Sequence, residues 1–269
     1  MTLDYSTGLI TIPEFQHTVL CFGRHLFHYS HSEINSDDFQ ISDSIVGIGD
    51  FAGSGSAYYA IFEGHNGPHA CEYAGQNVHR IFARDFTNDV TPQSLLPSVL
   101  NEVHKHISKD WPNEGCSCAI LISMKNGLYT ANLGDTKIML ISEEGEISYL
   151  TENHITSNPD EAQSIQKNGG YTQSEKVCGV SHLTRALGDG KIEKVVSHVP
   201  YMRQIKRHDG MVVVIGTAAL FESVNEQRIA RLAVSHTTVN AAAQSLTKEA
   251  AKNGAKGNVS CIVIWLTPK

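Results

Sequence analysis

The sequence is short of the features that mark several large protein classes. Aromatic residues make up 7% and charged residues 18% of its 269 positions. No apolar run approaches the roughly eighteen residues that a membrane helix needs; the longest, such as Met211 to Ile215, have strand length, so no membrane partner is expected. Positive charge is not in excess. Lys plus Arg total 21 against 28 Asp plus Glu, a net charge of −7, which argues against a nucleic-acid partner. Cys-x-x-Cys pairs are absent: Cys21, Cys71, Cys116, Cys118, Cys178 and Cys261 are scattered and read as reduced, small buried hydrophobes rather than a disulfide framework. Met1 to Ile10 has neither the basic start nor the apolar core of a signal peptide, which points to an intracellular protein, cytoplasmic or nuclear. The sequon at Asn258 opens an apolar strand and is discarded as a glycan acceptor.

What remains is a folded chain, 41% hydrophobic, with no linker, repeat or low-complexity tract, read as one domain over 1–269. Strands are expected between His17 and Ser30 and at Ala57 to Phe62, the latter ending in the turn Glu63-Gly64-His65-Asn66-Gly67. Helical spacing of apolar residues marks Pro68 to Phe86 and Pro92 to Lys109. Four strands follow, Ser117–Met124, Leu128–Leu133, Lys137–Ser142 and Ile147–Leu150, separated by Asn126-Gly127, Gly134-Asp135 and Glu144-Gly145. Those dipeptides are hairpin signals, so the segment reads as an antiparallel meander. Further helices are expected at Pro159–Lys167, Glu226–Val234 and Val239–Lys252, and strands at Val195–Ile205, Met211–Ile215 and Val259–Leu266. Strands in runs with grouped helices predict an α+β fold, two packed antiparallel sheets flanked by helices.

Short motifs in a fixed order carry a resemblance. Glu63-Gly64-His65-Asn66-Gly67, Ala131-Asn132-Leu133-Gly134-Asp135-Thr136-Lys137, Leu150-Thr151-Glu152-Asn153-His154, Gly169-Gly170 and Thr184-Arg185-Ala186-Leu187-Gly188-Asp189 follow one another along the chain. Together they resemble the metal-dependent protein serine/threonine phosphatases of type 2C (PPM), from about Phe27 to Leu266. The resemblance implies a four-layer α-β-β-α sandwich. It also implies a cleft in which two Mn²⁺ or Mg²⁺ ions, held by carboxylates, activate a bridging water.

Position by position, the ligand set departs from the family's pattern. The family's Arg followed by Glu-Asp is matched loosely by Glu33 with Asp37 and Asp38, so a carboxylate would replace the phosphate-gripping Arg. In this reading no residue binds the substrate phosphate; a plain solvated loop is the competing reading of the stretch. The Asp that bridges both metals becomes Glu63, one methylene longer, with the Gly64 carbonyl beside it. His65 keeps the family's general-acid position as a vestige. The family's later metal aspartates fall at Ala218 and Gly257, and the aspartate linked to a third metal falls at Asn153. Asp135 and Asp189 persist as parts of turn and framework motifs.

Three functions compete on this reading. The leading one is a pseudophosphatase-like regulatory or binding module, with a protein partner such as a kinase or signalling protein and no cofactor expected. The second is a weak or altered metal-dependent phosphatase, with Mn or Mg at a degraded site of Glu63, Gly64, Asp37 and Asp38. The third is a histidine-based metal binder, prompted by 14 His. It is disfavoured because the three-residue spacing of His25, His28 and His31 does not share a strand face, and Pro68 separates His65 from His69.

Overall fold

Two six-stranded antiparallel sheets lie face to face between layers of helices. The computed structural model describes residues 2–4, 9–11, 17–20, 27–34, 43–51, 56–87, 89–125 and 127–266. In chain order the strands that build the sheets are β3 (His17–Leu20), β4 (Phe27–Ile34), β5 (Ser44–Phe51), β6 (Ser56–His65), β7 (Gly115–Met124), β8 (Gly127–Leu133), β9 (Lys137–Ile141), β10 (Ile147–Tyr149), β13 (Leu187–Gly188), β14 (Tyr201–Ile205), β15 (Val212–Gly216) and β16 (Val259–Leu266). Two small ribbons, β1 (Thr2–Asp4) with β2 (Leu9–Thr11) and β11 (Thr172–Gln173) with β12 (Lys176–Val177), stand apart. One sheet runs β10-β9-β15-β16-β4-β3; the other runs β14-β8-β7-β6-β5, with β13 added to β7.

Each central strand is buried on both faces, which explains its nearly unbroken apolar run. Tyr59, Ile61, Leu121 and Leu128 of one sheet meet Ile138, Val213, Ile215 and Ile262 of the other in the inter-sheet core. The alternate residues face outward into helices. Phe62, Cys118 and Ile120 pack on Val78 and Phe82 of α1 (His69–Asp85) and on Leu100 and Val103 of α2 (Pro92–Asp110). On the far side, Val214, Cys261 and Val263 pack on α4 (Ala218–Ser223), α5 (Glu226–Val234) and α6 (Val239–Lys252), through Leu220, Ile229 and Leu246. A satellite cluster gathers Ile165 of α3 (Pro159–Lys167) with Val177, Leu183, Ala186 and Val196.

Helix ends follow local chemistry. Thr91, Asn158, Asn225 and Thr238 cap α2, α3, α5 and α6 with side-chain oxygens. Pro68 brings no such cap to α1; Glu114, distant in sequence, accepts the His69 and Ala70 amides at 2.7 and 3.3 Å instead.

The expected single meander is not formed. β7 and β8 pair, as do β9 and β10, but Gly134-Asp135 carries the chain from one sheet to the other. Gly134 has φ +87° and a Cβ there would sit 2.5 Å from Ser117 Cβ. The pair is therefore a crossover requiring glycine, not a hairpin turn, and β9 finds its second partner in β15. The strand expected from Val195 is confined to Tyr201–Ile205; Val195 and Val196 instead bond back to the Ile192 carbonyl in turns. Cys71, Cys116, Cys118 and Cys261 are free and buried, and Cys178 is free and half-buried; Cys21 lies outside the described residues. Asn258 is buried. Among the described residues, no helix is long and apolar enough to cross a membrane.

Candidate functional site

Strand ends from both sheets converge on one cleft. β6 carries Glu63, Gly64 and His65 to its end, within the strand rather than in the expected turn. β15 delivers Thr217 and Ala218 beside them, and β16 starts just after Gly257 and Asn258. The Ala218 amide donates to Glu63 Oε2 at 3.3 Å, so the chain does bring these two predicted positions together. Thr217 stabilises the corner by donating to the Asn258 carbonyl and accepting the Ser260 amide, both at 3.2 Å.

Asp37 and Asp38 lie outside the described residues. The carboxylate that reaches the site is Asp43, immediately before β5. It accepts from Ser260 Oγ at 2.6 Å and from the Asn258 side chain. Burial pushes its pKa up to about 6, against the pull of those two hydrogen bonds. Glu33 is not in a solvated loop: it is a buried residue of β4, opposite Ser260. Burial, then the neighbouring Asp43, pushes its carboxyl up to about 7. Glu63 is held well above the ordinary carboxylate range, first by enclosure, then by Asp135 and Asp43, with Glu222 adding to the repulsion.

Asp135 and Asp189 do more than frame turns. The crossover after β8 places Asp135 near Glu63, where it is bonded to His182 Nε2 at 2.8 Å. That hydrogen bond raises the pKa of the exposed His182. Asp189, at φ +54°, has both carboxylate oxygens within 2.9 to 3.0 Å of His65 Nε2, so His65 is held by a buried carboxylate. Asn153 sits apart, beside His154, with its Oδ1 buried and without a hydrogen-bond partner among the described residues.

Asp43, Asp135, Asp189 and Glu222 are the site residues that sequence reading missed or undervalued. All four reach the site through contacts distant in sequence, and the strand β5 that follows Asp43 was not expected from the sequence.

The oxygen donors present, Asp43, Glu63 and the Gly64 carbonyl, are of the type hard cations take. Ala218 contributes no side-chain donor, and neither does Gly257, where φ is +97° and a Cβ would meet no atom within 4 Å. Among the described residues, no group of three or more His, Cys, Asp or Glu side chains is arranged to hold a metal ion. His65 and His69 have separate partners, Asp189 and Glu114; His25 and the side chain of His28 lie outside the description, and His31 is buried in β4.

The fold and cleft define the class of two-sheet α-β-β-α sandwiches with an acidic site at the strand ends. The family model for protein phosphatase 2C matches residues 27–259, and the chain belongs to that family. Protein phosphatase 2C homolog 1 of Schizosaccharomyces pombe is 27% identical over 242 residues, covering 84% of this chain and 69% of the relative. The Bos taurus integrin-linked kinase-associated serine/threonine phosphatase 2C is 26% identical, covering 77% of this chain and 66% of the relative. Among solved structures, a Caenorhabditis elegans sex-determining protein superposes with a TM-score of 0.79 at 21% identity, over 90% of this chain and 65% of that one. The catalytic domain of a serine/threonine phosphatase solved with 2 manganese ions gives 0.66 at 17% identity, over 90% and 99%.

Proposed function

We propose that this chain, as one unit over 1–269, is a pseudophosphatase-like regulatory or binding module of the protein phosphatase 2C family that does not assemble the two-ion centre. One observation carries the reading. Where the resemblance calls for a metal aspartate, Ala218 offers only its backbone N–H, and that N–H occupies the Glu63 carboxylate at 3.3 Å. An amide donor at that place supplies no oxygen to a cation, so the site is one carboxylate short of the set the resemblance implies. Asp43, Asp135 and Glu222 repel the Glu63 charge, and with Ala218 and Gly257 in place of aspartates the cleft offers fewer carboxylates than two-ion chemistry uses. The printed name of the Bos taurus relative links that protein to a kinase, which supports a kinase or signalling protein as the partner class.

A second reading, a weak or altered metal-dependent serine/threonine phosphatase, draws support from the preserved His65–Asp189 contact and from Asp43 beside Glu63. Calorimetric titration of Mn²⁺ and Mg²⁺ into chelator-treated protein, with turnover of phosphoserine and phosphothreonine peptides, separates the two. The module reading expects no stoichiometric uptake at millimolar metal and no metal-dependent turnover. Two-ion binding with turnover lost in His65→Ala would establish the enzyme reading instead.

A further inference from the structure

At the opposite end of the sheet from the cleft, a cavity of about 560 Å³ opens between the β9–β10 hairpin, the start of β15, the end of β16 and the last turn of α5. The length of β15, about 13 Å at strand rise, separates it from Ala218, so it shares no residue with the cleft. Its volume lies in the range of small-molecule sites, which bury an apolar body and orient it with a few polar groups.

The walls are unlike the rest of the surface. The Trp265 indole N–H donates to the Ala233 carbonyl at 2.9 Å, which fixes the ring as a rigid apolar wall. Met211 and the exposed Val234 continue that wall. Gly145, at φ +85° with no atom within 4 Å of a would-be Cβ, leaves the far side open. Two basic side chains line the space. Arg231 stands in the last turn of α5, and its guanidinium makes no ion pair or hydrogen bond with a described residue. His236 follows the helix end, and its Nε2 is fully buried without a partner among the described residues. That nitrogen has no accessible surface in the cavity, so the polar group that can meet a ligand is the Arg231 guanidinium, whose fork is shaped for a carboxylate. The one acid in the lining, Glu143, is exposed and packs near Gly210, on the β9–β10 side. Its charge repels anions in proportion to their charge, which favours a ligand with a single negative charge over one with two or more.

We infer that this cavity binds a small amphipathic monoanion, its apolar body against Trp265, Met211 and Val234 and its carboxylate on the Arg231 guanidinium. The site lies outside the cleft and does not rest on the reading of the cleft as active or inactive.

Calorimetry on the full chain with octanoate, 1-octanol and octylammonium tests it, because the three share one apolar body and differ in the head group. Octanoate should bind at least tenfold more tightly than octanol, and octylammonium more weakly than either. Arg231→Gln should bring octanoate to the affinity of octanol, while Val234→Trp, which fills the mouth from an exposed position, should weaken all three. Circular dichroism of both variants should match the parent. Equal affinity for octanoate and octanol overturns the inference, as does no binding of any probe at millimolar concentration. Tightest binding by octylammonium also overturns it, by showing that Glu143 and the carbonyls at the end of α5 govern the cavity.

Discussion

Replacing Glu63, Ala218 and Gly257 together by aspartate returns two carboxylates to the cleft and shortens a third. Glu63→Asp withdraws the carboxylate by one C–C bond, about 1.5 Å, from an amide now 3.3 Å away; the lost hydrogen bond is worth roughly 1 kcal/mol. Gly257→Asp meets open space, so its cost is the backbone at φ +97°, about 1–2 kcal/mol for a residue with a Cβ. Ala218→Asp adds a charge to a site that already holds Asp43, Asp135 and Glu222 around Glu63. Two unit charges about 7 Å apart repel by roughly 2 kcal/mol at an effective dielectric near 20. Without metal, the triple variant should therefore be about 4–5 kcal/mol less stable than the parent, on the order of 10 °C in melting temperature. Each Mn²⁺ bound at a hundred times its Kd should return about 2.7 kcal/mol, so two ions should restore the melt. Single changes should gain little from Mn²⁺, since an incomplete acidic set binds no ion strongly enough to offset its own repulsion. Differential scanning calorimetry with and without millimolar Mn²⁺ measures this. A triple variant that is folded by circular dichroism, yet whose melt does not move with Mn²⁺, refutes the claim that these residues are what separates this cleft from a metal site. Adding Glu33→Arg would not restore phosphate binding, because position 33 is buried next to Asp43 and the guanidinium would pair there.

Three further outcomes are expected. Glu161→Ala should cost about 3 kcal/mol in urea denaturation, the lower end for breaking a buried pair, because Arg185 and Thr184 both donate to that carboxylate at 2.6 Å; a loss below 1 kcal/mol would mean water already screens the pair. Burial, then the stacked His198, pushes His104 down to about 4, with Lys105 acting in the same sense and Asp189 against it. Since only the unfolded chain then takes up a proton below its ordinary value near 6.5, stability should fall by about 2 kcal/mol from pH 7 to pH 5 through this group, and His104→Gln should lose correspondingly less over the same interval. Chelator should leave the parent's melting temperature within about 2 °C of the untreated protein, because the three large apolar clusters contain no cleft carboxylate; a larger drop would reveal a structural ion.

The parts of the fold that were legible in sequence are those with a local cause. α2, α3, α5, α6 and β16 begin and end within a residue of their expected limits, since caps, a proline at N1 and an unbroken apolar run fix them locally. Gly134-Asp135 misled because a glycine-aspartate pair between two apolar strands has the same composition whether it closes a hairpin or crosses between sheets. The difference is made by the contact of Gly134 with Ser117, seventeen positions upstream. Asp43 and Asp189 were hidden for a related reason. Their hydrogen-bond partners, Ser260 and His65, are 217 and 124 residues away, and no local pattern encodes such distances.

On the proposed reading, the division between framework and site lets this sequence keep one while altering the other. The inter-sheet core rests on Tyr59, Ile61, Leu121, Val213, Ile215 and Ile262, whose side chains never enter the cleft. Ala218 and Gly257 stand beyond the strand ends, one half-buried at the start of a short helix and one in a turn with free space around it. Alanine or glycine at such places removes no apolar contact and leaves no cavity, so the stability cost of leaving aspartate behind is close to zero. In the absence of a cation the change is favourable, because each carboxylate removed lowers the repulsion that Glu63 still feels from Asp135, Asp43 and Glu222. Stability therefore opposes the return of these aspartates unless metal is present, and selection for catalysis is the force that would have to hold them in place.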